Sequence, residues 1–358
     1  MNGRPNKIVY IINSLEVGGA ERFFVELINA LNRENFEPYV MCVFKTGALA
    51  SDLAKDVPVY EVGKRSKLGL LTLCKLYRKL REIQPDIVHT SLFGGDLWGR
   101  IAAVCARVPT IISTEQNLHT TDRFRERFSK RLLNVFTKRV IFISNAVRHD
   151  YVKHVPISRD KMRIIPNATS LARYRHERLQ FHGTTAQMVV IARLVPQKGH
   201  EVLLNALAMI RHASWVCRMV GDGVLSQTLK ERVKALGLEN QVLFLGERHD
   251  VPQLLRNADI SILPSIFEGQ GIALLESAAS GCFIIASNVD GISEVFEDGK
   301  TAHLVRPGDP EAIARSILWF MKHHEEAMSI ALSAQSMVFS KFDIAVIAKQ
   351  YEQEYVNL

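Results

Sequence analysis

Short apolar runs alternate with amphipathic stretches along most of this chain. Residues 7–15 contain an unbroken apolar run at 8–12, whereas residues 18–33 carry apolar side chains at helical spacing. The same alternation continues to residue 144. Short buried strands that alternate with amphipathic helices are typical of a parallel sheet with helices on both faces. The pattern therefore predicts an α/β fold of the doubly wound type.

The alternation is interrupted once and then restarts. Residues 178–187 are polar and carry a turn signal, which favours a linker, and residues 310–358 are helical in pattern. A chain of 358 residues is long enough for two cores. We predict two Rossmann-like domains facing across a cleft, 1–180 and 184–340, with a helix at about 341–358 packing back on the first. Ligands of open α/β sheets bind at the carboxyl ends of the strands, so the active site is expected in that cleft.

Composition narrows the class of protein. The apolar fraction is 47%, and no segment approaches the roughly 20 apolar residues of a membrane span. The first apolar run lacks a small-residue cleavage site and indicates a strand rather than a signal peptide. The five cysteines are scattered, which favours buried thiols in a reducing compartment over disulfides or a metal site. We expect a cytoplasmic protein.

Charge divides the chain unevenly. Residues 1–180 hold 30 basic and 17 acidic side chains, whereas residues 181–358 hold 15 and 20. Residues 122–140 combine basic side chains with apolar ones at helical spacing. The basic members are Arg123, Arg125, Arg127, Lys130, Arg131, Lys138 and Arg139, and the apolar members are Phe124, Phe128, Leu132, Val135 and Phe136.

Two interpretations of residues 122–140 stay open. The segment is either a core-packed helix with a solvated face or a helix that contacts the inner face of an anionic membrane. A nucleic-acid partner is not expected, because no reader motif or aromatic platform accompanies the basic residues.

Two cations lie close together after a predicted strand. Arg193 ends the strand at 188–194, and Lys198 follows in a loop that leads into a helix. Cations at a helix N-terminus are badly placed for the helix dipole. They are well placed for a diphosphate, which arginine can bind bidentately and lysine can neutralise. The ordinary alternative is a pair of solvated loop charges.

Two glutamates flank a glycine loop after another predicted strand. A helix is expected to start near Ile272. Glu268 precedes this helix, and Glu276 lies in its first turns. Gly269 and Gly271 leave the loop backbone free to donate hydrogen bonds. A carboxylate at Glu276 can accept from the vicinal hydroxyls of a ribose, whereas Glu268 lies nearer a reacting sugar. Each glutamate alone could be a helix-stabilising or a solvated charge.

Other glycine motifs are weaker. Gly18 and Gly19 follow the first strand and open a helix, where they could admit an anion or simply form a tight turn. The run 220–226 has Ser226 in place of the third glycine of a dinucleotide fingerprint.

Together these motifs resemble the retaining GT-B glycosyltransferases of glycosyltransferase family 4. The resemblance covers nearly the whole chain. It rests on the following matches: the pair Glu268/Glu276, the run Pro264–Gly271, the run Arg193–Gly199, the "GDG" at 221–223, Gly291 with Glu294, and in the first half "GGAER" and "PDIVHTSLFGGDLWGR".

The resemblance implies a role for each matching position. Arg193 and Lys198 would bind the donor diphosphate, Glu276 the ribose and Glu268 the donor sugar. The backbone of Gly269 and Gly271 would contact sugar and phosphate. Gly19 would face the diphosphate, with Gly18 beside it on the acceptor side. Arg248 and Val251 match the base-binding loop.

Two positions depart from the family pattern. Gln116 stands where members often carry a histidine that touches the donor sugar, and residues 167–170 read "NATS" where many read "NGxD". The first departure leaves the donor sugar open. The second concerns a turn, since Asn-Ala forms a left-handed turn less readily than Asn-Gly.

The resemblance implies retention of configuration, with a hexose passing from a nucleotide-diphosphate sugar, UDP-linked by expectation, to a glycan or lipid-linked saccharide. No Asp-x-Asp pair occurs, so we expect no metal or other cofactor, with Arg193 and Lys198 stabilising the leaving diphosphate. A nucleotide-sugar epimerase or hydrolase, or a catalytically silent sugar-nucleotide sensor, remains an alternative on the same fold.

Overall fold

The computed structural model of the chain describes residues 4–63, 69–118, 124–176, 181 and 183–358. It divides into two compact units. The first is formed by Met1–Thr169 and Ile344–Leu358, and the second by Ser170–Asp343. The boundary predicted from sequence, at 180–184, lies later in the chain than this division.

In the first unit, parallel strands alternate with helices. The elements are β1 (Asn6–Ser14), α1 (Gly19–Ala30), β2 (Phe36–Lys45), β3 (Val59–Glu61), α2 (Leu70–Ile83), β4 (Ile87–Ser91), α3 (Phe93–Ala106), β5 (Thr110–Glu115), α4 (Phe124–Phe136), β6 (Arg139–Phe142), α5 (Asn145–His154), β7 (Met162–Ile164) and, from the C-terminal segment, α13 (Ile344–Val356). Within the described residues the strands form one parallel sheet in the order β3-β2-β1-β4-β5-β6-β7. The strand order reverses between β1 and β4, so the loops that follow these two strands lead away in opposite directions.

Alternate residues of β1 belong to two different hydrophobic cores, one on each face of the sheet. Ile8, Tyr10 and Ile12 pack with α1 and α13, whereas Val9 and Ile11 pack with α2 and α3. This period of two is the signature of a strand covered on both faces. The sheet is thus enclosed by helices, as the continuous apolar runs of the sequence predict.

A chain of polar groups ties α13 to the buried sheet. The Tyr355 hydroxyl lies 2.8 Å from the Tyr10 hydroxyl and 2.8 Å from Nδ1 of His89, whose Nε2 lies 2.7 Å from Oγ1 of Thr114. Burial lowers the pKa of His89 to about 3, although the charge of Asp96 acts in the opposite direction. His89 is therefore neutral in the folded protein at ordinary pH.

A second buried network lies on the opposite face of the same sheet. Arg100, fully buried, pairs with the buried carboxylate of Asp96, which also accepts hydrogen bonds from Thr90 (2.7 Å) and Ser113 (2.6 Å). Burial alone would raise the pKa of Asp96, but the charges of Arg100 and Lys130 bring it below its usual range. Charged groups in this unit thus stabilise one another inside the fold.

Helix α4 carries most of the segment that was open to two interpretations. Four apolar side chains predicted at helical spacing are exposed: Phe128, Leu132, Val135 and Phe136. The core-packed interpretation is therefore wrong for this stripe, and Leu133 is the buried apolar residue among the described side chains of the helix. Arg123 and the side chains of Phe124 and Arg125 lie outside the described residues.

The basic residues of the segment divide between surface and interior. Arg131 and Lys138 are exposed and Arg127 is half-buried. The prediction that Lys130 belongs to a basic surface is wrong, because it is buried and its Nζ donates to Glu115 at 2.7 Å. Arg139 is also buried and lies 2.7 Å from Glu354. The basic surface is smaller than the sequence indicates.

The second unit repeats the alternation. Its elements are β8 (Ala186–Ile191), α6 (His200–Met209), β9 (Trp215–Val220), α7 (Ser226–Leu236), β10 (Val242–Gly246), α8 (Val251–Arg256), β11 (Ile260–Leu263), α9 (Ile272–Ala279), β12 (Phe283–Ser287), α10 (Asp290–Ser293), β13 (His303–Val305), α11 (Pro310–Phe320) and α12 (His324–Lys341). Its described strands form a parallel sheet in the order β10-β9-β8-β11-β12-β13. The predicted doubly wound α/β fold is confirmed in both units.

No helix in the described ranges is both long enough and apolar enough to span a bilayer. Helices α6 and α11 pack on one face of the second sheet and α9 packs on the other, while α12 contributes side chains to both cores. The carboxyl ends of β8 and β11 lie side by side at the point where strand order reverses. Such a switch point is where open α/β sheets bind ligands.

Candidate active site

Two loops meet at the switch point of the second sheet. The loop after β8 carries Arg193 and Lys198, and the loop after β11 carries Glu268, Gly269 and Gly271. Because β8 and β11 pair in parallel, their exit loops leave the same edge of the sheet next to each other. The fold thus brings together residues that are about 70 positions apart in sequence.

The two cations of the first loop lie in different environments. Lys198 ends a short 3-10 turn, and its Nζ lies 2.5 Å from Oε2 of Glu268. Arg193 is exposed, and among the described residues its guanidinium forms no ion pair. Its carbonyl is close to Nε2 of the buried His200 (3.0 Å). Lys198 is thus neutralised within the protein, whereas the guanidinium of Arg193 is accessible to an anion.

Glu268 is held within the loop rather than solvated. Its side chain is only 11% exposed, and Oε2 also accepts from the hydroxyl of the fully buried Ser265 at 3.2 Å. A carboxylate with these two partners has a fixed position. The alternative of a free solvated loop charge is therefore excluded.

Glu276 lies in the second turn of α9, which begins at Ile272 as the sequence predicts. It is the fifth residue of the helix, buried to 8% exposure, and Oε1 accepts from the Tyr174 hydroxyl at 2.6 Å. Arg173 lies 3.9 Å from the same oxygen. A carboxylate this far along the helix gains little from the dipole, so helix stabilisation does not explain it.

Glycine geometry shapes both loops. Gly271 has φ +82° and caps α9, which an L-residue with a side chain rarely does. Gly199 has φ +65°, and a Cβ there would lie 2.0 Å from the carbonyl oxygen of Pro264. The β8 loop therefore packs directly against the β11 loop, and the contact leaves no room for a side chain at 199. Gly269 lies in the same loop, directly after Glu268.

The predicted base-binding residues lie on the loop before α8. Arg248 is exposed and forms a bidentate pair with Asp250, at 2.8 and 2.7 Å. Its hydrogen bond lowers the pKa of Asp250. Val251 is the first residue of α8. No contact joins these two residues to Glu268 or Glu276 among the described interactions.

The candidates of the first unit lie at the carboxyl edge of its own sheet. Gly19 begins α1, and Gly18 precedes it in extended conformation without a side-chain cap. Gln116 follows β5, is buried, and its Oε1 accepts from Nδ2 of Asn167 at 2.6 Å. Gln116 and Asn167, which belong to the two segments that depart from the family pattern, are thus in contact. Neither Asn167 nor Ala168 has positive φ, so the turn at 167–170 is not left-handed.

The described residues contain no cluster of three or more histidine, cysteine, aspartate or glutamate side chains that could hold a metal ion. At the switch point Lys198 and Ser265 both contact Glu268, and the exposed Arg193 forms no ion pair among the described residues. This donor set fits an anion bound at Arg193 better than a metal bound at Glu268.

Sequence reasoning missed three residues around these groups. Tyr174 contacts Glu276, His200 contacts the Arg193 backbone, and Gln197 bonds to the β11 loop (Nε2 to the Phe267 carbonyl, 3.0 Å). Gln197 and His200 adjoin Lys198-Gly199, so proximity was a usable signal. No such signal pointed to Tyr174, because it lies about 100 residues before its partner Glu276.

Two family models match the chain. "Glycosyltransferase Family 4" matches residues 17–173 and "Glycosyl transferases group 1" matches residues 174–337, so together they span most of it. Several glycosyltransferases are similar over nearly the whole length. The Escherichia coli UDP-Gal:alpha-D-GlcNAc-diphosphoundecaprenol alpha-1,3-galactosyltransferase is 26% identical over 87% of both chains.

A second relative is a Campylobacter jejuni enzyme, N-acetylgalactosamine-N,N'-diacetylbacillosaminyl-diphospho-undecaprenol 4-alpha-N-acetylgalactosaminyltransferase, 23% identical over 96% of this chain and 99% of its own. Among solved structures, Anabaena HepE in complex with UDP and glucose superposes with a TM-score of 0.87 at 23% identity, covering 99% of this chain and 100% of HepE. The chain therefore belongs to the GT-B glycosyltransferases of the family 4 type.

Proposed function

We propose that this glycosyltransferase retains configuration, needs no metal, and moves a hexose from a UDP-sugar to a lipid-linked saccharide. The observation that carries the proposal is the switch point of the second sheet. There the exposed Arg193 lies in the loop whose Lys198 pairs with Glu268. Two cations in the β8 loop, one fixed carboxylate in the β11 loop and a second in the helix that follows it match the needs of a nucleotide-diphosphate sugar.

The diphosphate is the group that Arg193 and Lys198 would bind. Arg193 can grip phosphate oxygens bidentately, and Lys198 can exchange its bond to Glu268 for one to phosphate. Glu276, oriented by Tyr174, would accept from the ribose hydroxyls. Gly269 and Gly271 would offer backbone N–H groups to the sugar and phosphate, with Arg248 and Val251 near the base.

The chemistry follows from these positions. The bond from the anomeric carbon to the β-phosphate oxygen breaks, and the bond from the acceptor oxygen forms on the same face of the sugar. The released phosphate oxygen takes the acceptor proton, so no separate base is required. Arg193 and Lys198 stabilise the negative charge that develops on the leaving diphosphate, while Glu268 orients the reacting sugar.

The relatives support the donor and acceptor classes. The Escherichia coli relative is named for UDP-galactose and a sugar diphosphoundecaprenol, the Campylobacter jejuni relative for a sugar diphospho-undecaprenol, and HepE was crystallised with UDP and glucose. We infer the same classes here, with the particular hexose left to experiment.

A transfer assay tests the proposal. UDP-hexoses are screened by thermal shift, and those that bind are assayed with diphosphoundecaprenol-linked saccharides, before and after dialysis against EDTA. We expect transfer that survives chelation, with the anomeric configuration of the donor in the product. Activity lost on chelation and restored by Mg²⁺ or Mn²⁺ would contradict the metal-free mechanism. Donor breakdown without transfer would favour an epimerase or hydrolase.

The two glutamates should fail differently in this assay. Glu276→Gln should mainly weaken donor binding, since it reduces acceptance from the ribose. Glu268→Gln should mainly lower kcat, since its contact tightens as charge develops on the sugar. An equal rise in KM with unchanged kcat in both variants would contradict the division of roles.

A lipid-linked acceptor requires access to a membrane, and α4 offers a surface for it. Phe128, Leu132, Val135 and Phe136 are each more than half exposed, and they recur at intervals of four, three and one. Such a stripe beside the exposed cations Arg131 and Lys138 fits a helix that lies in the interface of an anionic bilayer. Because Lys130 and Arg139 are buried, apolar contact should contribute more than charge.

Vesicle sedimentation tests this contact. Val135→Gln should reduce binding to vesicles containing anionic lipid, whereas Val224→Gln, at a similarly exposed valine of the second unit, should not. Raising salt should weaken binding only partly, since charge is screened within about 8 Å at physiological ionic strength. Wild-type protein that stays in the supernatant at low salt would contradict the membrane proposal.

A further inference from the structure

Gln197 connects the two loops of the proposed donor site through two separate hydrogen bonds. Its backbone carbonyl accepts from the backbone N–H of Ile266 at 2.8 Å. Its side-chain Nε2 donates to the carbonyl of Phe267 at 3.0 Å. No role was assigned to this residue from the sequence or by the family resemblance.

The position of these bonds relative to the ion pair is informative. Gln197 immediately precedes Lys198, and Phe267 immediately precedes Glu268, so the side-chain hydrogen bond lies one residue from the ion pair. On the other side of Lys198, Gly199 touches the Pro264 carbonyl. The loops are therefore joined by backbone contact, by a neutral hydrogen bond and by a charged pair.

These links respond differently to a bound donor. An incoming diphosphate competes with Glu268 for Lys198, so the charged pair is the link that substrate weakens. A hydrogen bond from a neutral amide to a carbonyl carries no net charge and has no reason to exchange for phosphate. Of the neutral links, the Gln197 side-chain bond lies nearest to Glu268, so it can hold the backbone of Glu268 when Lys198 turns to the donor.

We propose that Gln197 is a positioning residue for Glu268 during sugar transfer. It fixes the Phe267 carbonyl, and so the backbone from which the Glu268 side chain projects, while Lys198 binds the diphosphate. The inference rests on the proposed role of Glu268 in orienting the reacting sugar. Gln197 itself makes no contact with substrate in this scheme.

Gln197→Met tests the proposal in the full-length enzyme. Methionine has a similar length, keeps the backbone bond to Ile266, and removes the donor to Phe267. We expect kcat to fall by roughly 2- to 12-fold, the range for one neutral hydrogen bond, with the donor KM within a factor of two. Gln227→Met is the matched control, because it removes an exposed Gln-to-Glu231 hydrogen bond on α7 and should leave kcat unchanged.

A double-mutant cycle separates positioning from mere stability. If Gln197 acts through Glu268, adding Gln197→Met to Glu268→Gln should cause little further loss of kcat, whereas adding it to Glu276→Gln should multiply the losses. Multiplied losses in both pairs, or a lower Tm with unchanged kcat, would overturn the proposal. No loss of kcat in Glu268→Gln alone would instead refute the role of Glu268, and the inference with it.

Gln197→Glu provides a second variant should the methionine protein fold poorly. It keeps the size of the side chain but places a carboxylate against the Phe267 carbonyl. We expect a loss of kcat at least as large as that of the methionine variant. A wild-type kcat in either folded variant would overturn the proposal.

Discussion

Charged groups are used in opposite ways in the two units. In the first, Asp96 and Arg100 are fully buried and bond to each other and to neighbouring hydroxyls. In the second, Lys198 and Glu268 are partly accessible at the edge of the sheet, and Arg193 is exposed without an ion-pair partner among the described residues. A charge that is paired inside a fold serves the fold, whereas one that is left open can serve a ligand.

The largest expected effect comes from breaking the buried Asp96–Arg100 pair of the first unit. Arg100→Met leaves the Asp96 carboxylate buried without its cation, which typically costs about 3–5 kcal/mol of stability. Lys198→Met should cost much less stability, since its partner is closer to water, yet should abolish most of the transfer activity. Urea unfolding and the transfer assay on both variants measure this contrast. A similar loss of stability in the Arg100 and Lys198 variants would contradict the distinction between a structural ion pair and a ligand-binding one.

Arg193→Ala sharpens the ligand side of the comparison. Removing one charge-assisted contact costs roughly 1.5–3 kcal/mol, which corresponds to a fall of about 10- to 150-fold in kcat/KM for the donor. Unfolding should be unaffected because the side chain is exposed. Arg211→Ala, at another exposed arginine of the second unit, is the control. Unchanged kcat/KM and unchanged UDP affinity would show that Arg193 is an ordinary surface charge.

His89 makes the stability of the first unit depend on pH. Its folded-state pKa of about 3 lies below the ordinary value of 6.5, so below pH 6.5 the unfolded chain takes up a proton that the folded chain refuses. Stability should therefore fall as pH drops, by about 1.4 kcal/mol per unit and roughly 2 kcal/mol at pH 5. Unfolding curves at pH 7 and pH 5 measure it. The same slope in a folded His89→Gln variant would assign the effect to other groups.

The smallest effect concerns a single hydroxyl group in the second unit. Tyr174→Phe removes only the donor to Glu276 and should weaken UDP binding by roughly 2- to 12-fold, the range for one hydrogen bond. Tyr77→Phe, at an exposed tyrosine of α2, should change nothing. Calorimetry with UDP decides the matter. Unchanged affinity in Tyr174→Phe would mean that Glu276 does not need this partner.

Much of the fold could be predicted from the sequence because its central strands are continuous apolar runs. The spacing of apolar residues predicts helices at 70–83, 200–210 and 226–237, and these agree with α2, α6 and α7 to within one residue. The three-residue strands β3, β7 and β13 were missed, because runs this short carry no periodicity. Helix α4 was ambiguous because its exposed side is the more apolar one.

The candidate site was harder to predict than the fold. The residues with chemistry could be singled out by type and spacing, but their partners could not. The Lys198–Glu268 pair and the Tyr174–Glu276 bond each join positions 70 or more residues apart. Lys130 was misplaced because a buried lysine differs from a surface one only through its partner, here Glu115. Pairings of this kind depend on sheet order, which a single sequence does not state.

The place of α13 in the first unit has a consequence for biosynthesis. Tyr351 and Tyr355 cover Tyr10 and His89, yet the ribosome reaches them only after the whole of the second unit. At about 5–20 residues per second, the intervening 174 residues take on the order of 10–30 seconds. Throughout that interval the second unit is still being synthesised, while one face of the first unit lacks its cover. We expect released chains truncated after Asp343 to be cleaved by protease in the first unit and spared in the second.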